Sequence, residues 1–210
     1  MNGDLKSLWT FKNILIFMKK TKILAALLLI FFGIIGRLLI VEFIKIPNLE
    51  IITSFSLIGG AMLGGVFTFL VPLGIIAITD IYLGNTFILI FTWSAFAVIG
   101  IFGFLLRKRK SFNPRFVFEM TGMGIIASLF FYLYTNFGWW LLSGMYLHTW
   151  QGLVHCYIMG LPFLRINLLG NLFLVPLFTS SALLAWKYYP VFKAEFLNIF
   201  KLRYKYDSFR

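Results

Sequence analysis

Charged residues are scarce in this sequence. Only 12% of the 210 residues are charged, whereas 60% are hydrophobic, and the mean hydropathy is +0.91. Because a soluble domain of this size needs a charged surface, these proportions exclude an ordinary soluble protein and predict an integral membrane protein. The net charge is +12, and the basic residues cluster at the ends of apolar runs. This placement favours the anionic face of a lipid bilayer, rather than nucleic acid, as the partner.

Patterns for catalysis and metal binding are also missing. A single cysteine excludes an internal disulfide framework. His148, His155 and Cys156 lie close together, but a metal site needs three or four ligands, and no HExxH or CxxC pattern supplies them. There is no Walker motif and no GxSxG elbow. We therefore expect no metal, no cofactor and no enzymatic activity, although an intramembrane enzyme stays open as an alternative.

Long apolar runs predict a bundle of six membrane-spanning helices, an all-α fold. A crossing needs roughly 20 apolar residues. The region 51–83 is too long for one helix and is expected to break at Gly64 and Gly65, and Pro72 is expected to kink the third helix or to start its regular part. The expected spans are 23–41, 52–64, 66–83, 86–106, 114–141 and 166–186, within one domain at 23–187.

The distribution of basic residues predicts that both termini are cytoplasmic. Six crossings put the N-terminal arm (1–22), the basic loop RKRKSFNPR and the tail (188–210) on one side, as the positive-inside rule requires. The arm and the tail are predicted to be amphipathic helices on the membrane surface, with docking to a partner protein as the alternative. Their apolar faces would carry Leu8, Phe11, Leu15 and Met18 in the arm, and Phe192, Phe196 and Phe200 in the tail.

Two charged residues lie inside the predicted spans. Arg37 and Asp80 are each about four residues from the outer end of their helix, so their matched depth and opposite sign predict an ion pair. Three interpretations are open at this point: the pair is a structural bridge between helices, the arginine extends to lipid headgroups, or the pair lines a ligand cavity.

Several amides and aromatic residues are expected at the same depth. Amides in hydrocarbon need partners, so they should face each other or a polar pocket in the outer half of the membrane. The aromatic residues alone would also fit an interfacial belt. The segment 142–165 is predicted to be an outer loop with a short helix that roofs this pocket. The candidate pocket residues are Asn136, Trp139, Asn167, Asn171, Trp93 and Arg165.

Small residues form two stripes. In the first helix Ala26, Gly33 and Gly36 share roughly one face, and in the second Gly60 and Gly64 make a small-xxx-small pair. Such spacing lets helix backbones approach closely. The stripes fit either packing inside the bundle or docking against a partner membrane protein.

Five stretches of the sequence resemble the substrate-binding S components of energy-coupling-factor (ECF) transporters. The similarity lies in IGRLLI at 35–40, SLIGGAMLGG at 56–65, VPLGIIAITDIYLG at 71–84, TNFGWWL at 135–141 and GLVHCYIMGLPFLRINLLGNLF at 152–173. The resemblance implies a capture subunit that binds a vitamin or similar micronutrient from outside and works with a membrane coupling subunit and cytoplasmic ATPases. It departs at the first helix, where Ala26 is followed four residues later by Ile30 instead of a second alanine.

The resemblance also implies where the ligand would bind. The family's ligand sits near the outer surface, among the last three helices, which here carry Asn136, Trp139, Trp140, His148, Gln151, Arg165, Asn167 and Asn171. We expect the amides to hydrogen-bond the ligand and Arg165 or Arg37 to hold an anionic group. The predicted location is the cytoplasmic membrane. The alternative function is a structural or assembly protein, or an enzyme acting on lipid.

Overall fold

The computed structural model describes the backbone of residues 3–84, 87–111 and 113–207, and the side chains of those that fall within 20–188. These residues form six α-helices and no strand, which confirms the all-α class. Short π-helical segments, Ile40–Ile44 and Gly59–Leu63, extend the first two helices, and a 3-10 turn, Arg107–Arg109, follows the fourth. The helices are α1 (Gly3–Leu39), α2 (Ile52–Ile58), α3 (Phe67–Leu83), α4 (Leu89–Leu105), α5 (Pro114–Leu142) and α6 (Trp150–Asp207).

Among the described residues, four helical segments are long and apolar enough to cross a membrane. They are Lys20–Ile44, Leu89–Arg109, Pro114–Leu142 and Trp150–Tyr188. Their outward residues are mostly large and apolar, as expected of surfaces that face lipid rather than water. The chain is therefore a membrane protein.

The second helix is the core of the bundle. Every residue from Ile51 to Leu63 is buried, and α2 contacts each of the other five helices. At about 1.5 Å per residue, Ile52–Leu63 is roughly 18 Å long, which is shorter than the hydrocarbon core of a bilayer. The apolarity of this segment thus reflects burial among helices and not contact with lipid.

A glycine pair ends this central helix, as the sequence predicts. Gly64 and Gly65 have φ values of 64° and 59°, in the left-handed region that glycine adopts without steric cost. The chain reverses there and α3 begins at Phe67. Pro72 lies inside α3 and does not end it, although its missing N–H leaves the Thr68 carbonyl without its usual helical donor.

Glycines also allow α2 and α4 to touch through their backbones. A Cβ atom at Gly60 would overlap the carbonyl oxygen of Gly100 and lie 2.6 Å from the amide nitrogen of Phe104. A Cβ atom at Gly103 would overlap the carbonyl oxygen of Leu57 and lie 2.7 Å from its carbonyl carbon. These contacts require glycine because any side chain would push the two helices apart.

The glycine stripe of α1 faces the interior of the bundle. Ala26 and Gly33 are buried, and a Cβ atom at Gly33 would overlap the side chain of Ile75 on α3. Gly36 packs in the same way against Ile51. The stripe therefore packs inside the bundle and is not an exposed surface for docking a partner.

The segment 142–165 differs from its prediction. It was expected to be an outer loop with a separate short helix, but α6 begins at Trp150 and runs without a break through the expected last span. Gly160 lets α6 pack closely against α5, since a Cβ atom there would lie 2.5 Å from Asn136 Oδ1 on α5. The connection between α5 and α6 is therefore short, and it does not form the expected roof.

Basic residues from three parts of the chain meet at one end of the bundle. Lys110, which follows α4, lies with its Nζ 4.4 Å from the ring centroid of Trp186 on α6, and it is close enough to Lys22 on α1 to feel its charge. The start of the first span and the end of the last therefore lie at the same end, which fits any even number of crossings. Of the six predicted spans, the second and third (Ile52–Leu63 and Phe67–Leu83) are shorter apolar helices than the other four. The apolar faces predicted for the arm and the tail lie outside the described side chains.

Candidate functional site

The ion pair expected between Arg37 and Asp80 is present. Arg37 Nη1 lies 2.7 Å from Asp80 Oδ1, and the same guanidinium group also contacts Thr79 Oγ1. The indole Nε1 of Trp93 donates a hydrogen bond of 2.8 Å to Asp80 Oδ2. Only 9% of the Asp80 side chain is exposed. These contacts join α1, α3 and α4, which is the arrangement of a structural bridge.

A second polar cluster is centred on Glu50, in the connection before α2. Its Oε2 accepts a hydrogen bond from the backbone N–H of Thr53 at 2.9 Å, and its Oε1 accepts one from the Thr53 hydroxyl at 2.6 Å. The side-chain amides of Asn167 and Asn171 on α6 also reach Oε1, at 3.3 and 3.4 Å. No lysine, arginine or histidine among the described residues pairs with this carboxylate. Glu50 is therefore held by neutral donors only. We call Glu50, Asn167, Asn171 and Ser128 the Glu50 cluster.

The side-chain amide of Asn171 has more acceptors around it than hydrogens to donate. The Nδ2 group of Asn171 lies 2.9 Å from Ser128 Oγ, 3.2 Å from Asn167 Oδ1 and 3.4 Å from Glu50 Oε1. An amide nitrogen carries two hydrogens, so it cannot serve all three. In addition, Asn171 is almost fully buried, and its Oδ1 has no hydrogen-bond partner within the part of the chain that the structure describes. A group that donates hydrogen bonds or carries positive charge would satisfy these oxygens.

A small cavity adjoins the cluster. Its volume is about 40 Å³, enough for a water molecule or a single functional group but not for a whole vitamin. The predicted aromatic residues do not line it. The lining residues are Asn48, Ser128, Phe131, Tyr132, Thr135, Asn136, Phe163, Leu164 and Asn167.

The residues that were predicted to line one pocket thus fall into two separate groups in the structure. Asn167 and Asn171 face each other as expected, and Asn136 borders the cavity, although its Nδ2 donates to the carbonyl of Tyr132 one turn earlier. Arg37 and Asp80, with Trp93, form the separate bridge.

The remaining predicted site residues lie away from the cluster. Trp139 packs against Phe87, with ring centroids 4.9 Å apart. Trp140 donates to the carbonyl of Leu147 and meets His148 edge to face. His148, Gln151 and Arg165 are exposed. These positions fit the interfacial belt that the sequence left open as the alternative for the aromatic residues.

Glu50 and Ser128 are two members of the site that the sequence did not predict. Glu50 reads as an ordinary charge in an outer loop, and Ser128 is the single serine of a largely apolar helix. One signal was available, because Glu50 precedes Thr53 by three residues at the start of a helix, where an acidic side chain accepts hydrogen bonds from free N–H groups.

Comparison with known proteins identifies a family for this chain, but that family has no described activity. A family model described as a family of unknown function, DUF6580, matches residues 17–192. The chain belongs to this family. The matched range includes both the Arg37–Asp80 bridge and the Glu50 cluster of this DUF6580 protein. No curated protein and no solved structure matches the chain.

Proposed function

We propose that this DUF6580 protein is a substrate-binding membrane subunit that captures a small molecule, such as a vitamin or similar micronutrient, at the Glu50 cluster. The observation that carries the proposal is the buried Oδ1 of Asn171, which lacks a partner among the described side chains and lies beside a carboxylate that none of their cations pairs with. Polar and ionisable groups inside a membrane protein are costly in free energy, so their presence indicates a functional site. The protein itself is not an enzyme in this account.

The chemistry of the cluster sets the kind of ligand. One carboxylate and an excess of amide and hydroxyl oxygens favour a ligand that brings N–H donors or a positive charge. This differs from the anionic group expected from the sequence, since Arg37 is occupied by Asp80 and Arg165 is exposed.

The small cavity indicates a closed state. A micronutrient needs a pocket of roughly 300 Å³ or more, so binding requires a movement that enlarges the present cavity. The connection between α1 and α2 is the candidate for this movement, because Lys45 and Asn48 hold left-handed backbone conformations with φ of 56° and 59°. Such a conformation is costly for lysine, whereas asparagine tolerates it better, and strained residues occur in segments that switch.

The resemblance to S components supplies the rest of the proposal. In that role the protein lies in the cytoplasmic membrane with both termini inside and hands its ligand to a membrane coupling subunit driven by cytoplasmic ATPases. The stripe of Ala26, Gly33 and Gly36 is not available for this docking, since it packs inside the bundle.

Native mass spectrometry of gently extracted protein tests the proposal. We expect a bound small molecule in the wild type, and less of it in Asn136→Ala and Asn171→Ala, with Arg165→Gln as the exposed control. The four neutral donors to Glu50 also fit a purely structural cluster. In that case no small molecule would be bound, and Asn171→Ala would lower the folded yield without changing any ligand signal.

A further inference from the structure

The basic end of the bundle contains a compact set of cations that the proposed function does not use. Lys22 of α1, Arg107 after α4, and Lys110 are all half-buried there. Together with Trp186 of α6 we call them the basic cradle. Its members come from three separate parts of the chain, so the fold and not the local sequence brings them together.

Aromatic rings and a glycine hold two of these cations in place. The Nζ of Lys110 lies 4.4 Å from the centroid of the Trp186 ring, and the Cζ of Arg107 lies 5.8 Å from that of Phe104. The Arg107 guanidinium occupies the space beside Gly64, where a Cβ atom would overlap it. Cation–π contacts of this kind fix the position of a charge without neutralising it.

No acidic side chain balances the cradle within the described residues. Glu119 is the acid at this end, and it is engaged by Arg115 at 3.2 Å and Arg109 at 3.9 Å. Burial lowers the pKa of Lys110 below its usual value, and the neighbouring charges of Arg107 and Lys22 lower it further. Like charges held together and partly desolvated are costly unless an anion joins them.

We propose that the basic cradle is a binding site for the phosphate of an anionic lipid headgroup. Arg107 and Lys110 would contact the phosphate oxygens, with Lys22 as the third cation, while Trp186 lies at the level where headgroups meet the hydrocarbon core. A lipid is favoured over a soluble anion because the cradle lies at the end of spans whose outward faces are apolar. This inference is independent of the Glu50 cluster.

The test is native mass spectrometry of the full chain after incubation with equal amounts of phosphatidylcholine and phosphatidylglycerol. We expect the wild type to retain phosphatidylglycerol selectively. In the double variant Lys22→Gln with Lys110→Gln, the ratio of bound phosphatidylglycerol to bound phosphatidylcholine should fall about five-fold for each cation removed. The matched control is Lys108→Gln with Lys187→Gln, which removes the same charge from exposed positions at the same end. Thermal unfolding of each variant in neutral detergent verifies that it is folded.

Two results would overturn the proposal. An equal loss of selectivity in the control pair would mean that general charge, not the cradle, attracts the lipid. A thermal shift on addition of inorganic phosphate, without any preference between the two lipids, would assign the site to a soluble anion instead.

Discussion

The side-chain amide of Asn171 lies 3.4 Å from the carboxylate of Glu50, although 121 residues separate them in the chain. This contact ties α6 to the connection that leads into the buried α2 helix. It also leaves Asn171 Oδ1 buried and without a partner. The two residues therefore combine a structural link with an unfilled hydrogen-bonding position, which is the basis of the proposed ligand site.

The bridge between Arg37 and Asp80 predicts a strong coupling between these residues. Asp80→Ala should lower the free energy of unfolding by about 3 kcal/mol, because it leaves the Arg37 charge without its partner inside the bundle. The double variant Arg37→Ala with Asp80→Ala should lose less than the sum of the two single variants. Thermal or denaturant unfolding in one fixed detergent measures these values. Strictly additive losses would show that the pair does not contribute as a pair.

The close contact between α2 and α4 predicts that an alanine at Gly60 destabilises the protein, whereas an alanine at an open helix glycine does not. Gly60→Ala should destabilise the protein by about 2 kcal/mol, because the added methyl group meets the backbone of Gly100 and Phe104 and the helices must separate. Gly122 in α5 is the matched control, since a Cβ atom there has nothing within 4 Å. Gly122→Ala should gain up to about 1 kcal/mol from helix propensity. Equal unfolding temperatures for the two variants would contradict this packing.

The lowered pKa of Lys110 predicts a pH dependence of stability. The folded protein binds fewer protons at this site than the unfolded chain over the range between the lowered pKa and the usual value of 10.5. Stability therefore rises with pH across that range, and the penalty is present in full below it. In lipid-free neutral detergent, Lys110→Gln should be more stable than the wild type at neutral pH, and this advantage should shrink as the pH approaches 10.5.

The exposed Lys108 provides the control for that measurement. Lys108→Gln removes a charge from the same loop without removing a half-buried one. Its stability should follow the wild type over the whole pH range. A parallel pH dependence for Lys110→Gln and the wild type would show that burial of Lys110 has no effect on stability.

Local patterns predicted those parts of the fold that depend on one helix at a time. The turn at Gly64 and Gly65 follows from two adjacent residues that tolerate left-handed conformations. The bridge between Arg37 and Asp80 follows from depth and sign alone, because a membrane gives each residue a height that can be counted along its helix.

The parts that were missed depend on surfaces that only the folded chain creates. The segment 142–165 was expected to be a loop with a short helix, but α6 is continuous from Trp150, and Gly160 leaves the space that Asn136 of α5 occupies. Glu50 was missed for a similar reason. Its role depends on Asn167 and Asn171, which reach it only because α6 packs against the start of α2.

The most direct test of the central claim is native mass spectrometry of Glu50→Gln beside the wild type, with the unfolding temperature of both recorded. This substitution keeps the shape of the side chain and removes its charge. The account predicts that the wild type carries a bound small molecule and that folded Glu50→Gln loses it. A folded Glu50→Gln that retains the same molecule at the same occupancy would contradict the claim that the Glu50 cluster is the binding site.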